Sequence, residues 1–191
     1  MWGDGGAYAT WTTYVARWGA DLGVSDEHLP TLGQEDFAPQ TWVRLTNHII
    51  DAINARLRLC TTALTTDMAS ARSEFAVGQA LVRARTGLAS VLRLASHPSL
   101  PEDLRGRLRG MVEQQIVSVQ QSLQQDGDGL ERSGWRRADA DARRSTIKNN
   151  PLTGVLTSAM AAPQAAPGAA DAPPAWAPDP GRRPQRQLFV D

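Results

Sequence analysis

His48 and Asp51 stand three residues apart within "TWVRLTNHIIDAINARL", a spacing that brings two side chains onto one face of a helix. With His28 and His97 the chain has three imidazoles, enough in number for a metal site of the kind built inside helical bundles. Metal-binding helices, however, pair their ligands at i and i+3 or i+4, as in H-x3-H, and no two histidines here have that spacing. His28 and His97 fall in connectors. The expectation is polar surface and turn residues, with no metal and no cofactor. The single cysteine, Cys60, excludes an internal disulfide and lies mid-helix near the apolar face, where a thiol packs as a small hydrophobe. The chain has no G-x-x-x-x-G-K-[ST] phosphate loop, no G-x-S-x-G nucleophile turn and no C-x-x-C pair. No catalytic residue is assigned, and a non-enzymatic protein is expected.

Binding chemistry is better represented. Trp135, Arg136 and Arg137, followed by Arg143, Arg144 and Lys148, form a compact basic element beside one indole, able to touch phosphates and stack a base. Asp139 and Asp141 interrupt it, so a solvated charged face competes with nucleic-acid contact. Further along, Gln185, Leu188 and Phe189 follow a stretch too poor in apolar side chains to offset ordering entropy. Leucine and phenylalanine there are suited to insertion into a foreign pocket, with the Gln185 amide offering donor and acceptor to its rim.

The pentapeptide Gln185-Arg186-Gln187-Leu188-Phe189 resembles the short peptide by which bacterial proteins bind the DNA sliding clamp, whose usual pattern is Gln-Leu-x-Leu-Phe. Gln185, Leu188 and Phe189 match, and Arg186 stands where leucine is favoured. The resemblance implies a tethered clamp client acting in DNA replication, repair or damage tolerance, with an unidentified protein partner for the helical body. Separately, "TWVRLTNHIIDAINARL" resembles the histidine-bearing helix of DinB-like bundles, which implies a metal-dependent transferase or hydrolase. A third alternative is a regulatory or oligomerising bundle unrelated to the clamp.

The elements that must position these groups read as helices. Tyr8, Trp11, Val15, Trp18 and Leu22 recur at steps of three and four, one helical stripe with Gly23 as its stop. Pro39 suits the first turn of a second helix, whose inward face carries Trp42, Leu45, Ile49, Ile53, Leu57, Leu64 and Met68. A third places Phe75, Leu81, Leu88 and Leu92 inward. Ser99 and Glu102 form a capping-box pattern opening a fourth, with Leu104, Leu108, Met111 or Val112, Val119 and Leu123 on one side. No alternating run of β type is present. The predicted fold is all-α: an antiparallel bundle of about four helices over residues 1–125. A linker and short charged helix follow at 126–160, with "NPLTGVLTSAM" able to pack back, then a disordered Pro/Ala-rich linker at 161–184 and the interaction peptide at 185–191.

Charge and hydropathy narrow the classes further. Twenty basic and twenty acidic residues leave no bulk charge for nucleic acid or membrane. The balance hides an asymmetry: residues 1–40 hold six acids against Arg17, whereas residues 41–125 hold ten arginines against six acids, a net of +4. The N-terminal stretch has neither a basic segment nor a continuous apolar run, and no window has the length of a membrane span. A soluble, cytoplasmic protein is expected. The near replacement of lysine by arginine (only Lys148 remains) has the look of a high-GC bacterial genome.

Overall fold

In the computed structural model the chain divides into two units, Met1–Ala161 and Ala162–Asp191. The structure describes residues 5–26, 28–129 and 137–161 of the first, the side chains of 126–129, 137 and 158–161 excepted. These residues are all-helical, with no strand among them. In chain order the α-helices are α1 (Gly5–Gly19), α2 (Pro39–Ser70), α3 (Glu74–Ala95), α4 (Glu102–Gly129), α5 (Arg137–Asn149) and α6 (Gly154–Ala161), with a single 3-10 turn at Gln34–Asp36.

α1 forms because its aromatic and branched residues recur every three or four positions. Trp11, Tyr14, Val15 and Trp18 are buried, and Tyr8 packs against them partly covered. The predicted continuation through Leu22 does not occur. The helix ends at Gly19, Asp21 takes a left-handed conformation (φ 61°), and Leu22 is left 55% exposed. The Leu22 N–H then returns to the Arg17 carbonyl at 3.0 Å, satisfying one of the last acceptors of the helix. A Cβ on Gly19 would lie 3.3 Å from the Ala52 backbone, so α1 crosses α2 closely at this point.

Pro39 opens α2 in the first turn, as its missing N–H allows. The buried face is Leu45, Ile49, Ala52, Ile53, Leu57, Leu64 and Met68. Trp42, expected inward, is only partly covered and stacks on Phe37 with ring centroids 5.9 Å apart. At its far end α2 passes through three residues, Ala71 to Ser73, into α3. There the Ser73 hydroxyl oxygen accepts the Ala76 N–H at 3.2 Å and caps the new helix. The chain doubles back, so that Arg83 meets Asp67 at 2.8 Å and Gly87 lies under Cys60.

Two further expectations change here. Phe75 points outward, 77% exposed, because the inward stripe of α3 is set by Val77, Leu81, Ala84, Leu88, Val91 and Leu92. Six residues separate Phe75 from Leu81, which at 3.6 per turn puts it about 120° away round the helix. Ser99 does not form a capping box with Glu102: its hydroxyl donates to the Leu29 carbonyl at 2.9 Å, and Glu102 pairs with Arg105.

α4 buries Leu104, Leu108, Val112, Ile116 and Leu123 on one side, with Met111 and Val119 partly covered at its margin. Residues 137–155 join this core, through Ile147, Leu152 and Val155. The turn between α5 and α6 is held by Gln120, whose buried side-chain oxygen accepts the Leu152 N–H at 2.7 Å.

The Cys60–Gly87 crossing gives a mutational test. A Cβ on Gly87 would come within 2.6 Å of the Cys60 Sγ, too close without movement. Gly87→Ala is expected to destabilise the protein by about 1 kcal/mol or more, the overpacking cost outweighing the gain in helix propensity. In a Cys60→Ala background the same change is expected to stabilise by up to about 1 kcal/mol. Urea unfolding midpoints of the four proteins in the cycle measure the reversal of sign.

Candidate functional site

A hollow of about 600 Å³ lies between α1 and the connector that follows it. Thr10, Thr13, Tyr14 and Arg17 line it from α1, and His28 and Leu29 from the connector. These elements meet because α1 stops early and the chain runs back along it. Trp11 Nε1–H donates to the Pro30 carbonyl at 2.8 Å and pins the returning segment. Burial pushes the Tyr14 hydroxyl above its ordinary range, reinforced by the Asp26 carboxylate and opposed by Arg93. Tyr14 is therefore a neutral hydrogen-bonding group at pH 7 and no nucleophile.

In the turn between α3 and α4, His97 packs edge-on against Trp11 with centroids 5.9 Å apart. Its Nδ1 accepts the Ser99 N–H at 3.2 Å, so the neutral ring carries its proton on Nε2. Burial drives the imidazole below its ordinary pKa. Asp26 pulls it back, by charge and through a backbone hydrogen bond, while Arg93 pushes it further down.

A second hollow of about 190 Å³ follows the groove between α2 and α3, with Arg56, Leu59, Cys60, Arg83 and Gly87 in its walls. Arg56 is held from two directions. Its Nη1 pairs with the Asp21 carboxylate, and its guanidinium carbon lies 5.6 Å from the centroid of the Trp18 ring. Burial raises the Cys60 thiol, which Arg56 lowers in part and Asp21 raises again. The net direction disfavours the thiolate, the reactive form.

The residues singled out from the sequence are distributed as follows. Gln185, Leu188 and Phe189, together with Trp135 and Arg136, lie outside the described residues, and Arg137 opens α5 with its side chain also outside them. Arg143 donates to the Met68 carbonyl at 2.9 Å, satisfying an acceptor in the last turn of α2, and Arg144 pairs with Asp141 at 3.3 Å. His48 and Asp51 are exposed on α2, His28 is exposed in the connector, and His97 is half-buried far along the chain. The structure does not bring the three imidazoles together, and no group of three or more His, Cys, Asp or Glu able to hold a metal occurs among the described residues. No described helix is long and apolar enough to cross a membrane.

The contacts around Ser99 are what sequence reasoning misses. Its partner Leu29 lies 70 residues away, and nothing local in "HPSLP" announces the pairing. No family model, no curated protein and no solved structure matches this chain.

Cys60 gives a direct chemical check on the second hollow. A chromogenic disulfide reagent at pH 7.5 is expected to react with the folded protein at least tenfold more slowly than with the urea-unfolded chain, given the scarcity of thiolate and the partial burial. The folded-state rate should keep rising with pH beyond about 8.5, where an unperturbed thiol levels off. Stopped-flow absorbance measures both.

Proposed function

We propose that this chain is a non-catalytic adaptor, tethered to the bacterial DNA sliding clamp by its Gln185-x-x-Leu188-Phe189 peptide and acting in DNA replication, repair or damage tolerance. The observation that carries this reading is the peptide itself: three of its residues match the clamp-binding pattern, and they follow the Pro/Ala-rich stretch 161–184. In this reading that stretch serves as the tether.

Support also comes from the helical body. Among the described residues its core runs from Ala7 to Val155. In this reading the four long helices run antiparallel to their neighbours as a rigid cargo that binds a second protein. The tether raises that partner's local concentration at the clamp without adding contacts. The helical body acts in the cytoplasm and carries no metal or cofactor. In the same reading Trp135, Arg136 and Arg137 supply an accessory nucleic-acid contact. Arg143 and Arg144 have intramolecular partners.

Burying one leucine and one phenylalanine gains about 3–6 kcal/mol in gross apolar transfer, from which ordering and association costs are subtracted. Micromolar affinity is the expectation. Titration of the full chain into purified clamp, followed by calorimetry, is expected to show it. The Leu188→Ala/Phe189→Ala double variant should bind at least tenfold more weakly, with the thermal melt of the helical body unchanged. Equal binding by the two proteins, or no binding by the parent, rejects the reading.

A further inference from the structure

Residues 29–32 are held against the turn between α3 and α4 by one small hub. The Ser99 hydroxyl donates to the Leu29 carbonyl at 2.9 Å, and the Ser99 carbonyl accepts the Leu32 N–H at 2.8 Å. Its own N–H donates to His97 Nδ1. Ser99 thus commits all three of its polar groups here, and the imidazole orients it. Leu32 and Leu100, buried on the two sides, close the contact.

We infer that residues 29–32 are an acid-released strap: protonation of His97 turns Nδ1 from acceptor into donor, removes the bond that orients Ser99, and frees the strap from the α3–α4 turn. Two donors, the Ser99 N–H and the new Nδ1–H, then face one another in a partly covered site, an arrangement that costs free energy until one moves away. Leu29 is also a wall of the 600 Å³ hollow, so release of the strap widens that hollow toward the turn. The device is independent of the clamp peptide.

The charged groups acting on the imidazole are Asp26 from the connector and Arg93 from α3. Asp26 and Arg93 pair at 3.4 Å and so offset each other in part. Burial, the largest influence, opposes the charged ring in the closed form and outweighs the hydrogen bond to the Asp26 backbone, which favours it. An imidazole released to solvent has a pKa of about 6.5 and takes up its proton more readily. By linkage, acid then favours the open form, because that form binds more protons. For one such proton the opening equilibrium shifts at most about tenfold between pH 7.5 and 5.5.

Amide hydrogen exchange on the full chain, read residue by residue by NMR as protection factors, tests this. Between pH 7.5 and 5.5 the Leu32 and Ser99 amides are expected to lose protection severalfold, up to that tenfold ceiling, while Ile49 and Ile53 on α2 keep theirs. His97→Asn retains an acceptor that does not titrate, and its Leu32 and Ser99 protection is expected to be the same at both pH values. In the parent protein the loss should set in as the pH falls below about 6.5, the pKa of the released imidazole. The inference is overturned if strap protection is constant in the parent, if it falls equally in His97→Asn, or if α2 falls with it.

Discussion

Two close approaches to a single helix set the geometry of this body. α1 comes down on Ala52 through Gly19, and α3 comes down on Cys60 through Gly87. Ala52 and Cys60 are eight residues apart on α2, a separation that places them about 80° from one another round the helix. α1 and α3 therefore lie along adjacent flanks of α2. Residue 56 falls between those flanks by the same arithmetic, and it is an arginine. Its long stem follows the apolar wall while its head pairs with Asp21 just beyond α1 and faces Trp18. Small residues at the crossings bring the helices together, and the cleft left between them takes the one large cation.

Away from the crossings, the problem is polar rather than apolar. A turn packed against a core carries backbone groups that no helix satisfies. Three side chains from distant parts of the chain meet this need: Ser99 for Leu29, Gln120 for Leu152, and Arg143 for Met68. Their sequence separations are 70, 32 and 75 residues. Each joins a turn or helix end to another element, so the connectors are ordered by the same contacts that position the helices. The strap at 29–32 differs in that one of its supports can be changed by a proton.

The functional reading and the fold occupy different parts of the chain. In the proposed reading the Gln185-x-x-Leu188-Phe189 peptide asks of the body only that it be carried. Within the body, the groups best known for chemistry are muted by their surroundings. Tyr14 and Cys60 are kept protonated by burial, and His97 is engaged in holding a turn.

Helical periodicity was legible without coordinates, because the requirement to bury one face repeats every 3.6 residues whatever the fold. Trp11, Leu45, Ile49, Ile53, Leu81, Leu108 and Val112 are inside, as their spacing demands. Failures came where a stripe was extended past the point at which packing ends it. Leu22 continues the α1 pattern but follows a helix stopped at Gly19, and Phe75 precedes the stretch over which α3 faces its neighbours. Ser99 and Glu102 satisfy a local capping pattern, yet a carbonyl 70 residues earlier takes the serine hydroxyl. Sequence by itself determined that the chain is helical and which faces are apolar, since both follow from neighbours within two turns. Which helices touch, where they stop, and which polar groups close the turns were decided only by the tertiary structure, because those contacts join residues that the chain order keeps far apart.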